Sequence, residues 1–429
     1  MKQRHKVAVV GAGWAGLAAA VQLARHAEVV LFEAGREAGG RARTVASRHG
    51  FSFLDNGQHL LLGAYRSVFA LLQQAGADVS AHTQRGAMDW QMHGGLCLQT
   101  AALPAPWHLL WGVLRARGWS WRQKTALLRQ MAALQAYQRS SAPDQTVGAW
   151  LQGQGADATL LAQFWQPLVL AALNTPVASA SLRVLADVLA DGVWNSRDGS
   201  DFCLPKTDLG QWFVAPMLRD LAAHGGHFVP SVRVGGLARE NGRYHIHGQD
   251  FDAVVVAVAP HQVARVLPEA WFAPQQAWFK SLKYHAIATV YLRFRDRVML
   301  PAPMLGLADG TAHWLIDRYP LNGAHEIAAV VSVSEQYGDY TPAQWQESIC
   351  QDLRRVCPNL PEPEACQVIT EKRATVASEA GRTLPDVSVW RAHKLYVAGD
   401  YLHPRYPATL EAAVQSGMAA ARQCVGDLI

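Results

Sequence analysis

Residues 6–41 read KVAVVGAGWAGLAAAVQLARHAEVVLFEAGREAGGR, and this stretch decides the fold. Lys6–Val10 is a short apolar run, the mark of a strand buried in a parallel sheet. GAGWAG follows at 11–16 and leads into LAAAVQLARH, a helix rich in small residues. Val29–Phe32 is a second buried strand and closes on Glu33. Strand, glycine turn, helix, strand and acid make one βαβ unit, and each part has a reason. Gly11 permits the tight turn. Gly13 lets backbone approach a pyrophosphate. Gly16 and the alanines let the helix lie close on the sheet. The helix N-terminus offers free N–H groups and a positive dipole end to phosphate oxygens. Glu33 stands near the twenty-residue spacing at which such an acid accepts from ribose hydroxyls, and it would repel a 2′-phosphate. A lone GxGxxG is weak evidence. In this context, a glycine turn without a ligand is the poorer reading.

The 429 residues are too many for one core, so two domains, or one domain with large insertions, are expected. Half the residues are hydrophobic and 17% are charged, a globular composition. The net charge is +5. There is no long Lys/Arg run and no zinc-finger or RNA-recognition signature, which argues against nucleic acid as a partner. Six cysteines are spread without a CxxC and read as reduced thiols, neither a disulfide framework nor a zinc site. The start MKQRHKVAVVGAG shows no convincing cleavage signal, and no run of about 18 apolar residues occurs. A cytoplasmic protein, at most peripheral on the inner face of the cytoplasmic membrane, is expected.

The continuation past Glu33 separates nicotinamide from flavin. Gly39, Gly40 and Arg41 form a second glycine pair with an arginine, able to wrap the other side of a pyrophosphate. GxGxxG, then Glu, then GGR resembles the FAD-binding start of the amine-oxidase and phytoene-desaturase group of flavoproteins. No second complete GxGxxG occurs for a separate nicotinamide domain. The resemblance implies one FAD and an α/β fold: a discontinuous Rossmann-like FAD-binding domain with an α+β, amine-oxidase-like substrate domain. It places Gly11, Gly13, Trp14, Ala15, Gly16, Glu33, Ala34, Gly39, Gly40 and Arg41 around the cofactor.

The far end carries the matching half. LYVAGD at 395–400 is a short strand closing on Gly399 and Asp400, and LEAAVQSGMAAARQC is a small-residue helix. By the same resemblance Asp400 bonds the ribityl or phosphate region, and the N–H groups of Thr409 and Leu410 face the flavin N1/O2 edge. The match departs at Ala412, where the group often has glycine. A capped helix packing on the sheet explains the stretch equally, and both can hold. In the middle, 204–237 reads as loop, helix and strand, with Val232–Val234 as the strand approaching the adenine in this family. Asn241-Gly242 signals a hairpin, and 253–258 is another buried strand. His245 and His247 share one face of that hairpin and read as solvent-side residues; no metal is expected. The FAD-binding parts are then 1–75, 204–275 and 391–429, and the substrate domain is 76–203, mostly helical, and 276–390, sheet and helices.

Residues 104–124 read PAPWHLLWGVLRARGWSWRQK. Trp107, Leu110, Trp111 and Leu114 recur on one helical face, and Arg115, Arg117, Arg122 and Lys124 interleave with Trp119 and Trp121. An interfacial segment on an anionic membrane and a helix packed on the substrate domain fit equally. LLAQFWQPLVLAALNTP (160–176) is apolar nearly all round and should kink at Pro167. Phe164, Trp165, Leu168 and Leu173 would suit a cavity for a long hydrocarbon. Strands at 284–294 and 327–333 suggest a sheet flooring it, and Thr341 an N-cap.

No Ser-His-Asp elbow, HExxH or Walker A motif occurs, so the chemistry falls to the flavin. FLDNGQHLLLGAY (53–65) follows the GGR segment. Gly57 would pass close to the flavin ring, Gln58 and His59 would face the reacting centre, and Leu60–Leu62 would begin an apolar wall. This stretch, with YLHPRYPATLE at 401–411, resembles the hydroxysqualene dehydroxylases of bacterial hopanoid synthesis. That implies a long apolar isoprenoid substrate, an electron donor for FAD, and hydride delivery to an allylic cation after loss of water. His59 is the first candidate general acid, on the argument that an imidazole with pKa near 6.5 donates near neutral pH. His403 is the second. Tyr65 and Tyr401 would hydrogen-bond or stack on the cation. Two rivals stand beside this: a carotenoid-type desaturase or amine oxidase using oxidised FAD, and a flavin-binding accessory protein without turnover.

Overall fold

Short apolar runs without polar alternation are stable only between two covering layers, and they set one half of the architecture. A computed structural model describes residues 4–428. The chain opens with strand β1 (Lys6–Val10), helix α1 (Trp14–Ala24) and strand β2 (Glu28–Phe32). Then come β3 (Leu54–Asp55), α2 (Arg66–Gln74), the hairpin strands β4 (Asp89–Gln91) and β5 (Cys97–Gln99), and helices α3 (Trp107–Arg115), α4 (Trp121–Gln138) and α5 (Gln166–Leu173). Strands β6 (Phe202–Pro205), β7 (His227–Val229) and β8 (Ala253–Val256) follow. The next unit holds β9 (Tyr284–Arg293), β10 (Met304–Gly306), β11 (Trp314–Asp317), β12 (Glu326–Ser332), α6 (Pro342–Val356) and β13 (Ala365–Val376). β14 (Leu395–Val397) and α7 (Leu410–Leu428) close the chain.

The first sheet is parallel, in the order β7-β2-β1-β8-β14. Its strands thus come from the start, centre and end of the chain. Val7 to Val10 lie opposite Val29 to Phe32 on one side and opposite Ala253 to Val256 on the other. Helix α1 is buried almost all round because it lies between this sheet and α7. Small residues allow that: a Cβ on Gly417 would stand 2.0 Å from the Ala15 carbonyl oxygen. The strand expected at Val232–Val234 is not formed. The edge strand is β7, three residues earlier, and Val232–Val234 is an extended connection held by the Val232 N–H donating to Glu33 O at 2.8 Å. The Asn241-Gly242 hairpin is formed, with both residues at positive φ, as a tight two-residue turn demands.

The second sheet is antiparallel, in the order β10-β11-β12-β9-β13. Alternation sorts its two faces. Ala288, Val290 and Leu292 of β9 pack with Trp345, Ile349 and Leu353 of α6, while Tyr291 joins the helical core on the other side. Thr341 caps α6 in a reciprocal box with Gln344. Strand β6 pairs with short strands at 61–62 and 83–86, and so crosses the expected junction at 203/204. Pro167 removes one backbone donor, and the helix before α5 widens over Leu161–Trp165 into a π turn. Gln163 in that turn receives the indole N–H of Trp119 at 2.8 Å and the Leu96 N–H at 3.0 Å.

Candidate active site

A cavity of about 760 Å³ runs between the two sheets. The glycine turns line one part of it. Gly11 has φ +102°, and its N–H donates to Phe32 O at 2.8 Å. Gly39 and Gly40 are also at positive φ, and the Gly39 N–H donates to Ala12 O at 2.8 Å, so the second glycine pair lies against the first. Gly16 stands behind this wall, where a Cβ would meet Gly11 O at 1.8 Å. Helix α1 has no side-chain cap at Gly13, which leaves its first N–H groups for an anion. Trp14 also lines this part, its ring stacked on Phe213 with centroids 3.8 Å apart. Glu33 reaches the cavity with its carboxylate pinned: Oε2 accepts from the Ala12 N–H at 2.8 Å and Oε1 from the Gly35 N–H at 2.7 Å. Ala15, Ala34 and Val234 complete this part.

Arg41 and Asp400, 359 positions apart, form an ion pair on the same wall, and the Arg41 guanidinium also donates to Ala374 O at 3.1 Å. Gly399 precedes it, its N–H donating to Ser416 Oγ at 3.0 Å. Thr409 and Leu410 line the cavity at the start of α7, and Thr409 Oγ1 accepts from the Ala412 N–H at 3.0 Å. An uncapped helix start, a cradle made by four glycines and the half-buried Glu33 beyond it fit FAD as a bound group.

The segment 56–60 carries the wall from glycine to hydrocarbon. Asn56 Oδ1 accepts from the Arg43 N–H at 3.2 Å, its amide donates to Arg41 O, and Leu60 packs on the core that holds Trp90. Gly57, Gln58, His59, Leu60, Leu62 and Tyr65 face the cavity; Leu61 points into the core beside α1. Beyond them the wall is apolar: Met88, Trp90, Leu168, Leu173, Met304, Trp314 and Val330. Phe164 and Trp165, expected in it, are buried one layer behind.

The two candidate histidines separate. His59 faces the cavity, its Nδ1 2.7 Å from Gly57 O, and burial pushes its pKa down to about 4 against the opposing Gly57 bond. The ring therefore rests neutral at pH 7, with Nδ1–H donating and Nε2 bare. An imidazolium titrating near 6.5, as expected from the residue type, is not what this site holds. His403 lies outside the cavity. Its Nε2 is 3.0 Å from Gln415 Oε1, its Nδ1 accepts from the Arg405 and Tyr406 N–H groups at 3.3 and 3.2 Å, and its ring stacks on Tyr406. It shapes the loop before α7 through these contacts. Tyr65 and Tyr401 both line the cavity. His245 and His247 are exposed, and no metal-binding cluster occurs among the described residues.

Three further groups, two on this wall and one behind it, carry no individual signal in the reading above. Glu411 is buried and accepts from the Ser67 and Val68 N–H groups at 2.9 and 3.1 Å, capping α2 from another part of the chain. An acid in the first turn of an otherwise apolar helix was the available cue. Asn174 ends α5 in a left-handed conformation, φ 43°, and bridges the sheet: Oδ1 accepts from the Val333 N–H at 2.9 Å and Nδ2 donates to Thr375 Oγ1 at 2.9 Å. Asn before Thr-Pro at a helix end was its cue. Arg405 pairs with Asp191 at 2.8 Å and Asp187 at 3.4 Å, joining the loop before α7 to the helix 182–189. Nothing local announces that bridge.

Asp55, just before the cavity wall, is buried, and burial raises its carboxyl to about 7 against the opposing bond from the Leu209 N–H. The folded chain holds this proton up to about pH 7; the unfolded chain releases it near pH 4. Folding is favoured in full below pH 4 and loses that advantage as pH rises through 7, by at most about 4 kcal/mol. Asp55→Asn is expected to be more stable than the parent at pH 8 and to lose this slope between pH 4 and 7. Urea midpoints across that range check it, and parallel curves for the two proteins would refute it.

The comparisons with known proteins agree with this geometry. A family model described as flavin containing amine oxidoreductase matches residues 14–425. The chain belongs to this family. FAD is its cofactor, and it is an oxidoreductase. It is 26% identical over 441 residues to a hydroxysqualene dehydroxylase of Zymomonas mobilis, covering 96% of this chain and 97% of that one. It is 27% identical over 452 residues to the hydroxysqualene dehydroxylase of Rhodopseudomonas palustris, covering 97% of each. The structure resembles cyclohexylamine oxidase from Brevibacterium oxydans with a TM-score of 0.72 at 15% identity over 99% of both chains, a likeness of fold. No described helix is long and apolar enough to cross a membrane.

Proposed function

We propose that this flavoprotein reductively dehydroxylates hydroxysqualene to squalene. The observation that carries the reading is the apolar arm of the cavity, which continues the cofactor wall and is lined by Trp90, Met304 and Trp314. It suits a long hydrocarbon with one polar end. The end-to-end similarity to hydroxysqualene dehydroxylases supports the substrate class. Bound and reduced, FAD supplies a hydride to the allylic carbon whose C–O bond breaks, and a separate electron donor restores it.

The chain's own part is to hold the alcohol, exclude water and deliver the proton with which hydroxide leaves as water. Among cavity residues His59 is placed for that transfer through Nε2. With its pKa near 4 the imidazolium is a strong acid, present at roughly one part in a thousand at pH 7. The chemical step should therefore quicken about tenfold per unit as pH falls from 8 to 5. His59→Gln should keep FAD and lose this slope. A slope unchanged in His59→Gln removes His59 from proton delivery.

A second reading rests on the same atom. A bare Nε2 is also a base, and a base serves desaturation of a polyene by oxidised FAD. An anaerobic single turnover separates the two. Reoxidation of photoreduced enzyme by hydroxysqualene, with one squalene per flavin, is the expected result. No reoxidation, with bleaching of oxidised enzyme by a polyene, replaces the proposal with the desaturase.

A further inference from the structure

Helix α3 is pressed onto the β4–β5 hairpin by its inner face. His108, Leu109, Gly112 and Val113 are buried there, and a Cβ on Gly112 would stand 2.6 Å from Gln99 O, so helix and strand meet backbone to backbone. Fixed this way, α3 turns its apolar outer face to the surroundings. Trp107 is 59% exposed and Trp111 48%; Leu103 before the helix and Trp121 at the start of α4 are exposed at 39% and 66%. Trp119 and Lys124, which the sequence interleaves with them, turn inward: Trp119 donates to Gln163 Oε1, and Lys124 Nζ to Leu114 O at 2.9 Å.

Charge says what covers this face. Between Asp89 and Asp144 the chain has no Asp or Glu and six Lys/Arg. Taking those 6 from the 39 basic residues leaves 33 against 34 acidic ones, so the net positive charge of the protein resides in this stretch. Arg115, Arg117 and Arg122 are exposed beside the tryptophans, and none forms an ion pair among the described residues. A second copy of the chain would bring the same positive face, and like charges would repel across a symmetric contact. Exposed indoles flanked by unpaired arginines suit the headgroup layer of an anionic bilayer. The hairpin under α3 also carries Trp90, which lines the apolar arm of the cavity, so one layer separates that arm from this surface.

We propose that α3 and the start of α4 form a peripheral docking surface for anionic phospholipid bilayers. The proposal does not depend on the reaction assigned above. The test is co-sedimentation of the FAD-loaded protein with vesicles of phosphatidylcholine, alone or mixed with phosphatidylglycerol. Binding to the mixed vesicles that weakens with added salt is expected. Arg115→Gln/Arg117→Gln/Arg122→Gln should weaken it on the order of a hundredfold at low salt. Trp107→Ser/Trp111→Ser/Trp121→Ser should abolish it. Flavin content and the unfolding midpoint should stay unchanged in both. A parent protein that stays in the supernatant, or both variants pelleting like the parent, overturns the proposal. So does a dimer in sedimentation velocity that the tryptophan variant dissolves.

Discussion

Gly13→Ala should yield a protein of unchanged stability that no longer retains FAD, whereas Gly16→Ala should lose stability along with the cofactor. The two glycines sit three residues apart in one motif, but their surroundings differ. A Cβ on Gly13 meets nothing nearer than Gly40 Cα at 3.9 Å, an ordinary contact, so the chain tolerates it. The methyl would then stand in the cradle, at the uncapped start of α1 where a pyrophosphate would bind. Overpacking of about 1–3 kcal/mol corresponds to roughly 5- to 150-fold in affinity. A Cβ on Gly16 meets backbone on one side, Gly11 O at 1.8 Å, and Ala257 Cβ at 3.2 Å on another. Backbone cannot swing aside as a side chain does, so α1 must lift from the turn and from the sheet. The cost should be about 3 kcal/mol or more. Flavin-to-protein ratios after gel filtration, with urea midpoints for each variant, decide it. Gly13→Ala purifying with full flavin would show that the cradle is not where the pyrophosphate lies.

Arg318→Ala should destabilise the protein by about 3–5 kcal/mol. The guanidinium is fully buried, with Nη1 2.8 Å from Glu326 Oε2, Nη2 donating to Phe53 O at 2.8 Å, and the ring centroids of Phe53 and Tyr291 at 4.3 and 5.1 Å. Glu326 also accepts from the Ser52 N–H at 2.7 Å and the Ser52 hydroxyl at 2.9 Å. The pair thus fastens residues 52–53 to the antiparallel sheet, immediately before the cavity segment 56–60. Removing the arginine leaves a buried carboxylate without its counter-charge, which is the larger part of the cost. The double variant Arg318→Met/Glu326→Gln should recover much of the loss, since no bare charge remains. Urea unfolding of the two single variants and the double variant completes the cycle. A loss below about 1 kcal/mol for Arg318→Ala would mean that water reaches Glu326 in the folded protein.

What the sequence disclosed follows from distance along the chain. The glycine turn, Glu33 and the small-residue helices are local patterns, each read from its own neighbours. Arg318 with Glu326 in its surroundings of Ser52 and Phe53, or Arg405 with Asp187 and Asp191, are arrangements of tertiary structure, and no spacing rule reaches them. His403 shows the opposite failure. It stands in sequence beside Thr409 and Leu410, which line the cavity, but its ring is turned to Gln415 and the loop backbone. His59 lines the cavity; its neutral state was not legible, because residue type sets the starting pKa and burial moves it. Val232–Val234 reads as a strand by its β-branched residues, yet β7 already occupies the edge position beside β2.

The embrace of α1 by α7, Gly417 against Ala15, has a consequence for how the protein is made. Helix α1 leaves the ribosome well before α7, the helix that covers it. β1 and β2 likewise wait for β8 and then β14 to complete their sheet. At about 5–20 residues per second, the apolar face of α1 goes uncovered for roughly 20 to 75 s during each round of synthesis. Until α7 has emerged that apolar face stays open to other nascent chains, and the sheet that carries the nucleotide cradle is incomplete.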